Sequence, residues 1–323
     1  SEFRLFLRLD ITDTDYDDSQ VFTIDINPSI IDIERNLLAT SIPNNGRVGF
    51  KEYDGDKGLG LVFQEENLLF EMGLMMGTSA SDISSSVRTD EIDGNETVDD
   101  HFKTLSPILS TSPGERSLFE VFGKLDNSLA NSQSKVEIDY RSLVFAEDPN
   151  DQYVILEYEI KNTDTTDIND YFVGLFADWD IGRRDSADWN SVYRLGYVFN
   201  PEASNSVFAG IQELTGRPNY FPINNNPSAP NNPFGIYDGF SDIEKFRCLS
   251  SGDTVLTHVN MPESAANDLS HTVSSGPFNI PVGESIKVAF AIHAGESLED
   301  ILGSAEAADK MYNDVFNLTK PTL

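Results

Sequence analysis

Cysteine is almost missing. Cys248 stands alone in 323 residues, so no intramolecular disulfide can form and a small disulfide scaffold is excluded. Positive charge is scarce too: 22 lysines and arginines face 54 aspartates and glutamates, a formal net charge of -32. A field of that sign repels phosphate backbones and anionic lipid, which argues against nucleic-acid and membrane-surface binding and favours cations or basic partners. No apolar run reaches the roughly 18 residues that membrane insertion by a helix requires. Histidine is limited to His101, His258, His271 and His293, without the usual spacing of zinc ligands. No glycine-rich loop follows a strand and opens a helix, so nucleotide binding has no support. The chain opens on Ser1-Glu2-Phe3-Arg4, with neither initiator methionine nor signal peptide, and reads as a processed product or an excised piece of a larger protein.

Apolar material is plentiful: 39% of residues are hydrophobic, with 21 Phe and 11 Tyr, enough for a large core. Its arrangement is that of strands. Phe3, Leu5, Leu7 and Leu9 alternate, then Val21, Phe22, Ile24 and Ile26 follow an acidic turn, which predicts a β-hairpin closed by Asn27-Pro28. From Asn44-Asn45-Gly46 onward, short apolar segments are punctuated by glycine. Strands are expected at 68–76, 135–145, 153–161, 171–179, 195–200, 207–214, 271–278 and 285–293. Residues 90–100 read as a long acidic loop, and the proline- and asparagine-rich stretch 217–235 as an irregular surface loop. A short helix is expected near 241–250. A longer one follows Ser297, where Leu298, Ile301, Leu302, Ala305, Ala308, Met311, Tyr312 and Val315 recur at helical spacing.

The fold class that results is mainly β: a large antiparallel β-sandwich with irregular loops and one C-terminal α-helix at 297–317. Residues 1–27 form a terminal hairpin and residues 28–323 the sandwich domain with its helix.

Several phrases have a recognisable cast. They are Asn45-Gly46-Arg47-Val48-Gly49-Phe50, the run Asn67 to Ser79, Ser84 to Arg88, and Tyr153 to Tyr158. Further on come Val173 to Ile181, Gly239 to Lys245, and Leu269 to Phe278. As a set, over about residues 30–310, this resembles an extracellular β-rich module of large secreted proteins from Bacteroidetes-type bacteria, found downstream of subtilisin-like protease and immunoglobulin-like domains. The resemblance implies a secreted or extracellular location, a cell-surface attachment through flanking domains of a larger precursor, and no catalytic signature. It makes residues 1–27 the last hairpin of a preceding immunoglobulin-like segment.

Candidate sites were weighed against plainer readings. Gly77-Thr78-Ser79 looks like the nucleophile phrase of a subtilisin-like protease, but no histidine precedes Ser79, and a serine without a base is no nucleophile. Asp13-x-Asp15-x-Asp17 has the opening spacing of a calcium loop yet lacks the glycine and the closing glutamate, Ile24 standing at the twelfth position. Asp178, Asp180, Asp185 and Asp188 gather at a strand end beside Trp179 and Trp189. They suit calcium ligands, a sugar-facing platform, a glycosidase dyad or a solvated loop, and calcium is the cofactor such oxygens would take. Trp179, Trp189, Tyr193 and Tyr197 are the matching ligand-binding aromatics. The function expected first is a non-catalytic module with a structural, adhesive or assembly role, self-association included. The alternative is a carbohydrate-binding domain accessory to a secreted hydrolase, with a glycan as partner.

Overall fold

The computed structural model of the protein describes residues 3–13, 16–53, 57–90, 97–182, 185–203, 206–226, 228, 234–251, 258–259 and 268–318. Two long strands, β1 (Phe3–Asp13) and β2 (Tyr16–Ile26), pair with each other and share no ladder with the rest. Short strands follow: β3 (Ile30–Ile33), β4 (Leu38–Pro43), β5 (Arg47–Val48), β6 (Leu61–Phe63) and β7 (Glu66–Asn67). Then come β8 (Leu69–Ser79) and β9 (Asp82–Ser85), and a meander of β10 (Lys103–Thr111), β11 (Phe119–Asp126), β12 (Val136–Val144) and β13 (Tyr153–Asn162). The chain continues through β14 (Ile168–Trp179), β15 (Ser186–Asn190), β16 (Leu195–Phe199), β17 (Phe208–Glu213), β18 (Pro218–Asn224) and helix α1 (Asp242–Ser250). It ends its regular structure with β19 (His258–Val259), β20 (Leu269–Ile280), β21 (Ser285–Gly295) and helix α2 (Leu298–Leu318).

Two wide antiparallel sheets carry the fold. One runs β10-β11-β12-β13-β21-β17-β16-β15-β19, the other β18-β20-β14-β8-β5 with β9 beside β8. A smaller sheet, β3-β4-β6-β7, flanks them. The mainly β sandwich expected from alternation is therefore what forms.

Alternation explains the layering. On β14, Val173, Leu175, Ala177 and Trp179 join Leu156, Val273, Phe290 and Ile292 in the core between the sheets. The opposite face of β14 puts Phe172 and Phe176 with Met75, Phe240, Cys248 and Leu249, under α1. A strand covered on both faces is apolar throughout, which is why 171–179 reads as a continuous hydrophobic run. Full burial of a side chain such as Phe176 contributes about 2–3 kcal/mol. On the far side of the other sheet, Ala289 and Ala291 leave room for α2, whose Ala308 and Tyr312 pack on them. The Ser297 hydroxyl accepts the Asp300 N–H at 3.1 Å and caps the helix start. Buried His293 fixes the helix in place, with Nδ1 2.8 Å from Ser304 Oγ and Nε2 3.1 Å from Gln212 Oε1.

The stretch expected to be an irregular loop from 217 contains β18, an edge strand paired to β20. Pro218 and Pro222 are compatible with it because an edge strand leaves half of its N–H groups without a ladder partner. β15 is a second strand that composition did not announce. The acidic loop expected at 90–100 is pinched at its base by Thr89 N–H donating to the Thr97 carbonyl at 2.9 Å. Residues 91–96 of that loop lie outside the described residues.

Candidate functional site

Three polar residues stand directly opposite one another on adjacent strands: Glu71 on β8, Asp178 on β14 and Ser270 on β20. All three are buried. Two facing carboxylates would repel, and Arg88 resolves this from the loop after β9. Its Nε donates to Glu71 Oε2 at 2.8 Å, and its Nη2 donates to Asp178 Oδ2. Arg47 of β5 approaches Glu71 from the other side, Nη1 to Oε1 at 3.1 Å. Asn225, just past β18, donates from Nδ2 to Asp178 Oδ1 at 2.7 Å, and the Ser270 hydroxyl lies 2.8 Å from the same oxygen. The result is a buried row of alternating charge, Arg47, Glu71, Arg88, Asp178, ending on two neutral groups.

The two ends of this row are electrostatically different. Burial alone would raise Glu71, but Arg88 and Arg47 outweigh it and hold the carboxyl below its ordinary value. Asp178 is pushed up to about 6, by burial first, with Arg88 opposing and the nearby Asp268 adding to the rise. Asp185 is pushed up to about 8, again by burial first and then by Asp268, against the backbone N–H groups of Gly182 and Ile181. Carboxyls displaced in this way point to a functional site, since they hold or release a proton near neutrality.

Aromatic rings rim the row. The Arg88 guanidinium lies 5.7 Å from the ring centres of both Tyr53 and Phe70, which meet edge to face at 5.6 Å. Phe70 is 43% exposed and Tyr237 58% exposed. The Tyr237 hydroxyl donates to Asp268 Oδ2 at 2.7 Å. A planar cation, a carboxylate with two fixed neutral neighbours, and three rings, of which Phe70 and Tyr237 are exposed, thus lie at one end of the six-stranded sheet.

The structure sorts the residues singled out in the sequence. Asp178 is in the row and Asp185 is buried close to it, while Asp180 is exposed at the strand end. Asp188 sits apart on β15, 3.3 Å from the Tyr197 hydroxyl. Among the described residues, no group of three or more His, Cys, Asp or Glu side chains is arranged to hold a metal ion. The expected aromatic platform is corrected outright. Trp179 is buried between the sheets, edge-on to His271 at 5.3 Å, and Trp189 stacks on Tyr220 at 5.1 Å. Tyr197 and Tyr193 belong to the cluster beneath α2 with Ile301 and Ala305. Successive strand residues face opposite ways, so Trp179 must point into the core if Asp178 points out of it. The rings that border the row are Tyr53 and Phe70, against Arg88, and Tyr237, bonded to Asp268. Sequence reasoning gave no role to Arg88, Arg47, Glu71, Asn225, Asp268 or these three. A signal existed: Glu71 is the one charge in the apolar run 68–76, and a buried charge demands a partner.

No family model and no curated protein matches the chain. Solved structures do resemble it. A provisionally named aldose 1-epimerase from Escherichia coli superposes with a TM-score of 0.47 at 8% identity, over 83% of this chain and 99% of that one. An aldose epimerase homologue from C. elegans covers 83% and 98% with a TM-score of 0.38 at 8% identity. A provisionally named kojibiose phosphorylase from the human microbiome covers 88% of this chain but 34% of that one, with a TM-score of 0.45 at 8% identity. At these values the likeness is one of broad architecture and gives no residue a role. These three neighbours carry names from sugar chemistry. Against these likenesses the expectation of a structural, adhesive or assembly module is set aside, and the carbohydrate-directed alternative is carried forward as a proposal. No helix among the described residues is long and apolar enough to cross a membrane.

Proposed function

We propose that the protein binds carbohydrate at the rim around Arg88 and Asp178. The observation that carries this reading is the combination found there: Tyr53, Phe70 and Tyr237 around a guanidinium–carboxylate pair whose partners are fixed by the fold. A sugar ring offers an apolar C–H face and an equatorial fringe of hydroxyls. Aromatic rings meet the first, and immobile donors and acceptors meet the second. Arg88 and Asp178 are buried and bonded to each other and to Glu71, Asn225 and Ser270, so they hold the rim in place before any ligand arrives and little ordering is left to offset binding. The secreted setting and the flanking domains belong to the same proposal, as the context in which a glycan would be met.

Calorimetric titration with neutral and acidic oligosaccharides tests it. Tyr237→Ala and Phe70→Ala should each weaken binding about tenfold, roughly 1.4 kcal/mol, without lowering the melting temperature. Absence of binding to every saccharide class, or binding indifferent to both substitutions, overturns the assignment.

A further inference from the structure

Beside Tyr53 an open cleft of about 810 Å³ runs between the loop after β5 and the start of β10. Its size falls in the range of small-molecule sites, roughly 300–1,000 Å³. Lys51, Lys103, Asn45, Thr97 and Leu129 line it together with Tyr53. A second hollow of about 550 Å³ continues it, sharing Asn44, Lys51 and Thr104 and adding Lys57.

The charge here runs against the rest of the chain. Acidic residues outnumber basic ones 54 to 22 overall, yet the joined cleft presents Lys51, Lys57 and Lys103 against Glu52 and Asp100. Glu52 is occupied, its carboxylate 3.1 Å from Lys57 Nζ. Lys51 and Lys103 take part in no ion pair among the described residues. Screening confines the repulsion of distant carboxylates to about 8–10 Å at physiological salt, so among the described residues the lining charges, Lys51, Lys57 and Lys103 against Glu52 and Asp100, weigh most on a bound group. The neutral groups agree with an oxygen-rich ligand. Asn45 Oδ1 is buried and accepts no hydrogen bond, while its Nδ2 is held by the Lys51 carbonyl at 3.1 Å. Thr97 and Thr104 add hydroxyls.

Tyr53 joins the two regions, since it lines this cleft and also contacts Arg88 and Phe70. We infer that the ligand is an anionic saccharide, one whose carboxylate or sulfate groups reach Lys51 and Lys103 while a neighbouring sugar unit lies on the aromatic rim. This rests on the carbohydrate reading and specifies its chemistry. No bond is made or broken in it.

Carboxylate and sulfate can be told apart by direct comparison. Tri-galacturonate, its neutral methyl ester and a sulfated galactotriose are titrated into the full chain and into the Lys51→Gln/Lys103→Gln double variant. Melting curves confirm that the variant is folded. The expected result is binding of an anionic form about tenfold or more tighter than the ester, a preference that shrinks in high salt and disappears in the double variant. Whichever anion shows the larger loss identifies the group the lysines read. Equal binding of ester and acids, unmoved by the lysine substitutions, overturns the anionic inference and leaves the rim reading standing. No binding of any form overturns both.

Discussion

Asp82 and Asp178 are both buried carboxylates on the six-stranded sheet, and they have opposite characters. Asp82 receives five hydrogen bonds, from the hydroxyls of Thr78, Ser132 and Ser134 and the backbone N–H groups of Gln133 and Ser134. No cation is among these partners. Burial works against its charge, but those dipoles more than offset it and the carboxyl falls to about 2. Asp178 has a full positive charge against it and still rises to about 6, because Arg88 is shared with Glu71 and Asp268 lies nearby. Aimed dipoles on both oxygens secure an ionised group more firmly than one divided cation. Asp82 accordingly pins the turn before β12 to β9. Asp178 keeps protonation within reach at the place where aromatic rings are exposed.

The largest expected effect tests the divided cation. Arg88→Met leaves Glu71 and Asp178 buried without their common partner and should cost about 4 kcal/mol. Thermal denaturation should show a melting temperature lower by roughly 10 °C for a domain of this size. Part of the loss should return at pH 5, where Asp178 takes a proton. An unshifted melting curve would show that the row is not held by Arg88. Next is Asp82→Ala, which strips five donors of their acceptor and should cost about 3 kcal/mol by urea denaturation. Its signature is in acid. The folded value lies below the unfolded one, so the wild type gains stability from Asp82 above about pH 4 and loses it as pH falls toward 2, and the variant should lack that limb.

Asp185 sharpens the contrast with a smaller effect of opposite sign. Its folded value is raised to about 8, so its favourable contribution is present in acid and lost as pH rises from about 4 to 8. Asp185→Asn should flatten the stability profile over that window and leave the variant more stable than wild type at pH 8. His271, buried between the sheets and lowered to about 3, has the reverse sense, with stability present above about 6.5 and lost as pH falls. Comparing His271→Phe with wild type from pH 7 to 4 separates the two slopes. A variant profile parallel to wild type throughout would remove His271 from the account.

Much of the architecture was legible in the chain. Period-two alternation located the long strands, and the spacing from Leu298 to Tyr312 located α2. β10, β11, β15 and β18 were not legible: β18 is an edge strand that tolerates proline, and β15 is short and polar, paired because its neighbours β16 and β19 place it. For the site, Asp178 was visible as part of an acidic strand end. Its surroundings were not, since Glu71, Arg88, Asn225 and Ser270 meet Asp178 across sequence gaps of 47 to about a hundred residues, set by strand register. Trp179 misleads because a conspicuous ring beside a carboxylate suggests a ligand-binding role, although alternation turns it to the other face of the strand, here the core.

The placement of β20 and β21 has a consequence for biosynthesis. β20 lies between β18 and β14 in one sheet, and β21 between β13 and β17 in the other. A nascent chain emerging from the ribosome therefore carries most of both sheets with a gap in each, central in one and beside the edge strand β18 in the other, and four strand flanks stay unpaired until the segment from Leu269 to Gly295 arrives. Such flanks are templates for intermolecular pairing. The last hairpin works as a double key, and during the seconds before it turns, a holding chaperone has more to protect than at any later time.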